Sequence, residues 1–205
     1  MAKPGRHLDF FALMEELPRP GCPVCRLADR AEHRFLEVLF YEHINDGHVR
    51  ARLRETGGFC RRHTQAILEA GDALGSSLLF GDLLRGGKQP PGPCPACQAG
   101  AEAARRAERC LLQHFLEPDV AAAYRAGGGL CRRHLDEAMR SHRSAASQQL
   151  LEVEEQRTRQ LAAECAEFVA KTDYRRAGEP LGREGTAWRR AARKLGGGYP
   201  LDGAE

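Results

Sequence analysis

The amino-acid sequence predicts an all-α protein built from two tandem zinc-stapled helical units, a long helix and an extended C-terminal segment. Three observations predict it. The same unit occurs twice in the chain, apolar residues recur at helical spacing, and each copy carries a CPxC and a CRRH, residue types and spacings suited to a metal.

Laying residues 21–70 over residues 93–142 superposes CPVC (Cys22 to Cys25) on CPAC (Cys94 to Cys97). It also superposes GGFCRRH (Gly57 to His63) on GGLCRRH (Gly128 to His134). The offset is 72 residues for the first pair and 71 for the second, so one residue differs between them. Its expected place is the turn after the first helix, Asn45-Asp46-Gly47 in one copy and Glu117-Pro118 in the other. On that alignment His43 and His48, which flank Asp46, match Phe115 and Asp119, and the segment reads as a solvated turn rather than a third metal site.

The elements follow in order. Residues 1–20 hold a short amphipathic helix, Asp9 to Leu17, expected to pack on the first unit. Residues 21–85 form the first zinc-binding repeat. After CPVC, Leu27, Ala31, Phe35, Val38 and Leu39 keep one helical phase. A short second helix follows at His48 to Arg54, and a third begins at Cys60. Asp72 to Arg85 reads as a further helix weakened by Gly75 and Gly81. Residues 86–93 (GGKQPPGP) are a linker. Residues 94–143 repeat the unit, with Ala99, Ala103, Ala107, Cys110 and Leu111 in the same phase and a short helix at Asp119 to Tyr124. Residues 144–171 read as one long helix with Leu150, Val153, Leu161, Cys165 and Phe168 along a stripe. The Arg- and Gly-rich segment 172–205 has one helical patch, Thr186 to Leu195, and its last ten residues are expected to be mobile.

A Cys-x-x-Cys turn presents two thiolates to one ion, and a Cys and a His three residues apart in the first turn of a helix share a face. Three sulfurs and one nitrogen suit zinc. The expected sets are Cys22, Cys25, Cys60, His63 and Cys94, Cys97, Cys131, His134, with two Zn2+ per chain. The chain between the two halves of each set is 34 and 33 residues long. Nineteen helical residues climb about 28 Å, which fifteen following residues can retrace. Four protein ligands leave no open position, as in structural sites, while iron remains the competing metal. Arg61, Arg62, Arg132 and Arg133, beside the ligands, are expected to offset the cluster's negative charge, a phosphate patch being the alternative. Cys110 and Cys165 read as core thiols.

Composition bounds the function. With 205 residues, 6% aromatic and 29% charged, the core is thin and must come mainly from Leu, Ala and Val. The net charge is only +3, and 27 of the 31 cations are Arg. This is far from a dedicated nucleic-acid arm. The N-terminal apolar run is too short for a signal peptide and nothing reaches the length of a membrane span, so the expected location is the cytoplasm. In a reducing compartment eight cysteines favour metal over disulfides.

The doubled CPxC and GGxCxxH, followed by Phe168, Lys171, Asp173-Tyr174-Arg175, Glu179-Pro180, Gly182, Glu184 and Trp188, resemble an uncharacterised family of bacterial proteins of unknown function. The likeness runs from about Cys22 to Leu195. It implies paired zinc-knuckle-like units and no established activity. The residues from Asp173 to Trp188 have no metal-site logic and look like a segment that docks on the body or on a partner, with Tyr174, Arg175, Trp188 and Arg189 as candidate contacts. The expected function is a non-catalytic interaction or adaptor module whose partner is a protein. Nucleic-acid binding and a redox or metal-responsive role are the alternatives. No nucleophile elbow, phosphate loop, paired catalytic carboxylates or open metal site points to an enzyme.

Overall fold

The computed structural model describes residues 7–86, 92–141, 143–176 and 178–198. Most of the linker and the last seven residues of the expected mobile end lie outside the described residues. Among the described residues there are ten α-helices and no strand. They are α1 (Leu8–Glu16), α2 (Pro23–Val38), α3 (Gly47–Glu55), α4 (Arg61–Glu69), α5 (Ala73–Arg85), α6 (Pro95–His114), α7 (Pro118–Ala126), α8 (Arg132–Ser141), α9 (Ala145–Lys171) and α10 (Ala187–Gly196).

Local chemistry sets the ends. The Asp46 carboxylate accepts from the N–H of His48 at 2.8 Å and opens α3, and Asp72 accepts from Gly75 N–H at 2.9 Å to open α5. Ser144 and Ser147 form a reciprocal capping box at the start of α9. Gly58 and Gly129, equivalent in the repeat, both take left-handed backbone (φ +87° and +73°) just before the CRRH cysteine.

The residue that differs between the copies sits in the helix rather than in the following turn. In the first copy α2 runs on into a π-helical stretch, Leu39–His43, whereas α6 stays α-helical through His114. A π turn holds one extra residue. Buried Leu39 and Leu111 therefore match at offset 72, and buried Ile44 and Phe115 match at offset 71. The repeat counterpart of His43 is consequently His114, not Phe115.

The chain forms two compact units whose boundaries fall inside α2 and α6: Met1–Leu27 with Ala104–Glu205, and Ala28–Ala103. They do not coincide with repeats 21–85 and 94–143. The core of the 28–103 unit gathers Leu36, Leu39, Ile44, Leu53, Ile67 and Leu79. Arg50 Nε donates to Asp82 Oδ2 at 2.6 Å and ties α3 to α5.

In the other unit the buried set includes Phe10, Leu13, Leu17, Leu111, Phe115, Tyr124, Leu130 and Leu150. The N-terminal helix packs here, against residues of the second repeat rather than on the first. Phe10 lies edge-on to His114 with centroids 4.8 Å apart, and Asp9 faces Arg106 at 3.6 Å. Fully buried Glu16 receives Arg26 Nε at 2.5 Å. The helices α8, α9 and α10 pack on one another.

The Gly127-Gly128 pair lets two backbones touch. Gly128 N–H donates to Arg19 O at 3.1 Å, and a methyl group on Gly128 would lie 2.2 Å from Gly21 N. Backbone cannot give way as a side chain can. Gly128→Ala is expected to lose about 1–3 kcal/mol, read as a lower urea midpoint with both metals still bound below the transition.

Candidate metal centres

Each ligand pair stands where its local sequence puts it. CPVC and CPAC occupy the entries of α2 and α6, while Cys60 caps α4 and Cys131 directly precedes α8, so that His63 and His134 lie one turn in. The eight residues gather into two sets, Cys22, Cys25, Cys131, His134 and Cys60, His63, Cys94, Cys97. The CPxC of each repeat thus meets the CRRH of the other, and the expected pairing within a repeat is corrected.

Helix lengths explain the exchange. Twenty-one residues from Pro23 through His43 climb about 31 Å, whereas the nine of α3 retrace only about 13 Å. The return falls short of the start of α2. His63 meets α2 in its middle instead, with the His63 Nε2 3.3 Å from Glu32 Oε2.

The geometry fits one tetrahedral ion in each set. Zinc bonds of about 2.3 Å to sulfur and 2.0–2.1 Å to nitrogen give tetrahedron edges of about 3.8 Å between sulfurs and about 3.6 Å from sulfur to nitrogen. In the first set Cys25 and Cys131 Sγ are 3.7 Å apart, and His134 Nδ1 lies 3.5, 3.3 and 3.3 Å from Cys22, Cys25 and Cys131 Sγ. In the second, Cys60 and Cys97 Sγ are 3.7 Å apart, and His63 Nδ1 lies 3.3, 3.3 and 3.4 Å from Cys60, Cys94 and Cys97. Both imidazoles offer Nδ1. All ligands of the first set are at most 9% exposed, whereas Cys60 and Cys97 of the second are half-buried.

Without metal the sulfurs do not share protons evenly. Burial pushes the Cys22 thiol up, and pushes Cys97 up to about 12. Hydrogen bonds from the Cys22 and Cys25 thiols hold Cys131 far below the usual thiol range. Burial also acts to raise Cys60, but the His63 N–H and its neighbouring thiols outweigh it and hold Cys60 low. Three thiolates crowded this closely need a cation.

A second layer of residues aims the ligands. Glu32 accepts from the ring of His63, fixing the tautomer that leaves Nδ1 free, and Arg62 pairs with Glu32. Arg62 therefore balances that carboxylate rather than the thiolates. Glu108, Glu137 and a ring nitrogen of His134 lie within 4.8 Å of one another. Because His134 also belongs to the first thiolate set, this group reads as its outer shell. Burial pushes Glu108 up to about 7. Arg61 and Arg132 are exposed, and Arg133 lies 3.8 Å from Glu137.

The loop that presents Cys131 is held by a buried network that sequence reasoning missed. Fully buried Tyr124 donates to Glu154 Oε1 at 2.6 Å and accepts from Leu130 N–H at 3.0 Å. Lys194 pairs with Glu154 and donates to Leu130 O at 2.7 Å, while Arg157 donates to the carbonyls of Gly127 and Tyr124. A tyrosine a few residues before a ligand loop carries no signal of this role, and Glu154 and Lys194 lie in segments that read as amphipathic surface.

The C-terminal segment docks on the body. Lys171 Nζ donates to Pro180 O at 2.9 Å and to Glu184 Oε1 at 2.6 Å, and Glu184 also accepts from Gly182 N–H at 2.8 Å. These are family-pattern residues, and they fold the chain back after α9. At its end Gly198 N–H points at Cys25 Sγ, 3.1 Å away, covering the first cluster. Tyr174 and Trp188 stay 80% and 51% exposed, each under the guanidinium of its neighbour, Arg175 or Arg189.

Fold and site together define an all-helical protein with two clusters, each of three cysteines and one histidine, of metal-binding geometry. In sequence, residues 12–90 match the model of a family of unknown function, DUF6062. That span holds Cys22, Cys25, Cys60 and His63 and stops short of Cys94. The chain is also 27% identical over 179 residues to the "uncharacterized 23.9 kDa protein in xynA 3'region" of Caldicellulosiruptor sp. (strain Rt8B.4), covering 80% of this chain and 88% of that protein. No solved structure matches.

The exchanged pairing predicts which double variants spare a site. Cys22→Ser with Cys131→Ser should leave one metal per chain by elemental analysis, and Cys22→Ser with Cys60→Ser should leave none; the reverse result would restore pairing within repeats. Glu154→Ala, which strands the buried Lys194 charge, should cost about 3–5 kcal/mol in denaturant titration of the metal-loaded protein.

Proposed function

We propose that the chain is a non-catalytic zinc protein in which two zinc ions staple the helices and the exposed surface recognises a protein partner. The observation that carries the reading is the closed set of three sulfurs and one nitrogen at each centre. Four protein donors within 4.8 Å of one another leave room for a single ion, but not for a multi-iron cluster or a bound substrate. Three thiolates and an imidazole suit zinc among single ions. Zinc supplies folding energy on the order of 10–16 kcal/mol at such a site, a large share of what holds a core this poor in aromatic side chains.

Exposed Tyr174 and Trp188, each with a stacked arginine, have the composition of an interaction surface. No helix among the described residues is long and apolar enough to cross a membrane.

Protein purified anaerobically should contain two zinc ions per chain and no acid-labile sulfide; iron with sulfide would overturn the metal assignment. In analytical ultracentrifugation of lysate fractions, Tyr174→Ala with Trp188→Ala should keep both zinc ions and lose the companion that the parent chain carries. A parent chain that sediments alone would remove the interaction role.

A further inference from the structure

Beside the first cluster, wholly within the unit of residues 1–27 and 104–205, lies a cavity of about 490 Å3. This is the size of a small-molecule site. Its wall includes Arg125, Arg157, Arg183, Arg190, Arg193 and Lys194.

The anions nearby do not match these cations. Lys194 is spent on Glu154, and Arg157 on backbone carbonyls. Glu164, the carboxylate in the wall, takes Arg190 at 2.5 Å and reaches Arg183 only at 3.9 Å. Arg193 Nε is buried and meets no hydrogen-bond partner among the described residues. A buried N–H of a cation left without an acceptor is costly, and an oxyanion in the cavity would supply one.

The remaining wall narrows the ligand. It offers the amides of Gln156 and Gln160 and the aliphatic faces of Val153 and Leu161, but no aromatic ring on which a base could stack. Guanidinium forks match phosphate oxygens two at a time.

From this we propose that the cavity binds a small phosphate ester of the phosphorylated-sugar kind, the arginines taking the phosphates and the two glutamines the hydroxyls. The site draws on α9 and on the C-terminal helix α10, which lies outside the duplicated segment. It is independent of the partner-recognition reading, and a ligand can be bound with or without a protein companion.

The test is isothermal titration calorimetry of the full metal-loaded chain with fructose 1,6-bisphosphate, with inorganic phosphate and citrate as comparison arms. The expected result is a Kd below about 1 mM for the bisphosphate, with inorganic phosphate and citrate at least about tenfold weaker. Arg193→Gln should weaken the bisphosphate about tenfold or more with the metal content unchanged. Arg159→Gln, an exposed arginine on α9 outside the cavity, should bind as the parent does. If Arg193→Gln fails to hold two metals, the exposed Arg125→Gln decides by the same criterion. No binding, equal affinity for citrate, or unchanged binding in the deciding variant would overturn the proposal.

Discussion

The structure depends on one constraint: a thiolate cluster must be closed by four donors, and no single repeat can bring its own four together. The climb of α2 through its π turn is more than twice the length of α3, so the CRRH pair is stranded away from the CPxC that precedes it. Closure then requires the other copy. Cys22 and Cys131 share a site although 108 residues separate them in the chain, a link whose entropic worth grows with the loop it closes.

The supporting residues make sense as devices that deliver a ligand to an angle. Glu32 sets the ring of His63 from the first helix of its own repeat. Glu108 stands by His134 from the corresponding helix, four residues beyond the position equivalent to Glu32. The two centres have diverged around a common plan. One is fully enclosed, its loop braced by Tyr124, Glu154 and Lys194; the other keeps two half-buried sulfurs.

Much of the fold was legible because helical phase and caps are local. The runs after CPVC and CPAC, the serine that opens α9 and the helix at the CRRH all follow from neighbouring residues. The eight donors were equally plain. Their pairing was not, because two CxxC and two CxxH can combine in two ways with similar spacings, and the choice rests on helix rise against loop reach. The π turn was misplaced for a related reason: an extra residue inside a helix leaves the flanking apolar phases looking intact, and a Gly-containing turn attracts the assignment. The Glu154 network was invisible because buried charges on a long amphipathic helix look like its solvated face.

The exchanged clusters bear on how such a chain arises. One repeat alone presents a CPxC and a CRRH that cannot meet, so as a separate polypeptide it would have two half-filled sites and little to hold it. Two identical copies would complete both sites reciprocally, each lending its thiol pair to the other across a twofold axis. Joining the copies end to end would fix that exchange within one molecule. Gene fusion would then replace a concentration-dependent assembly with a permanent one, and leave each half free to specialise.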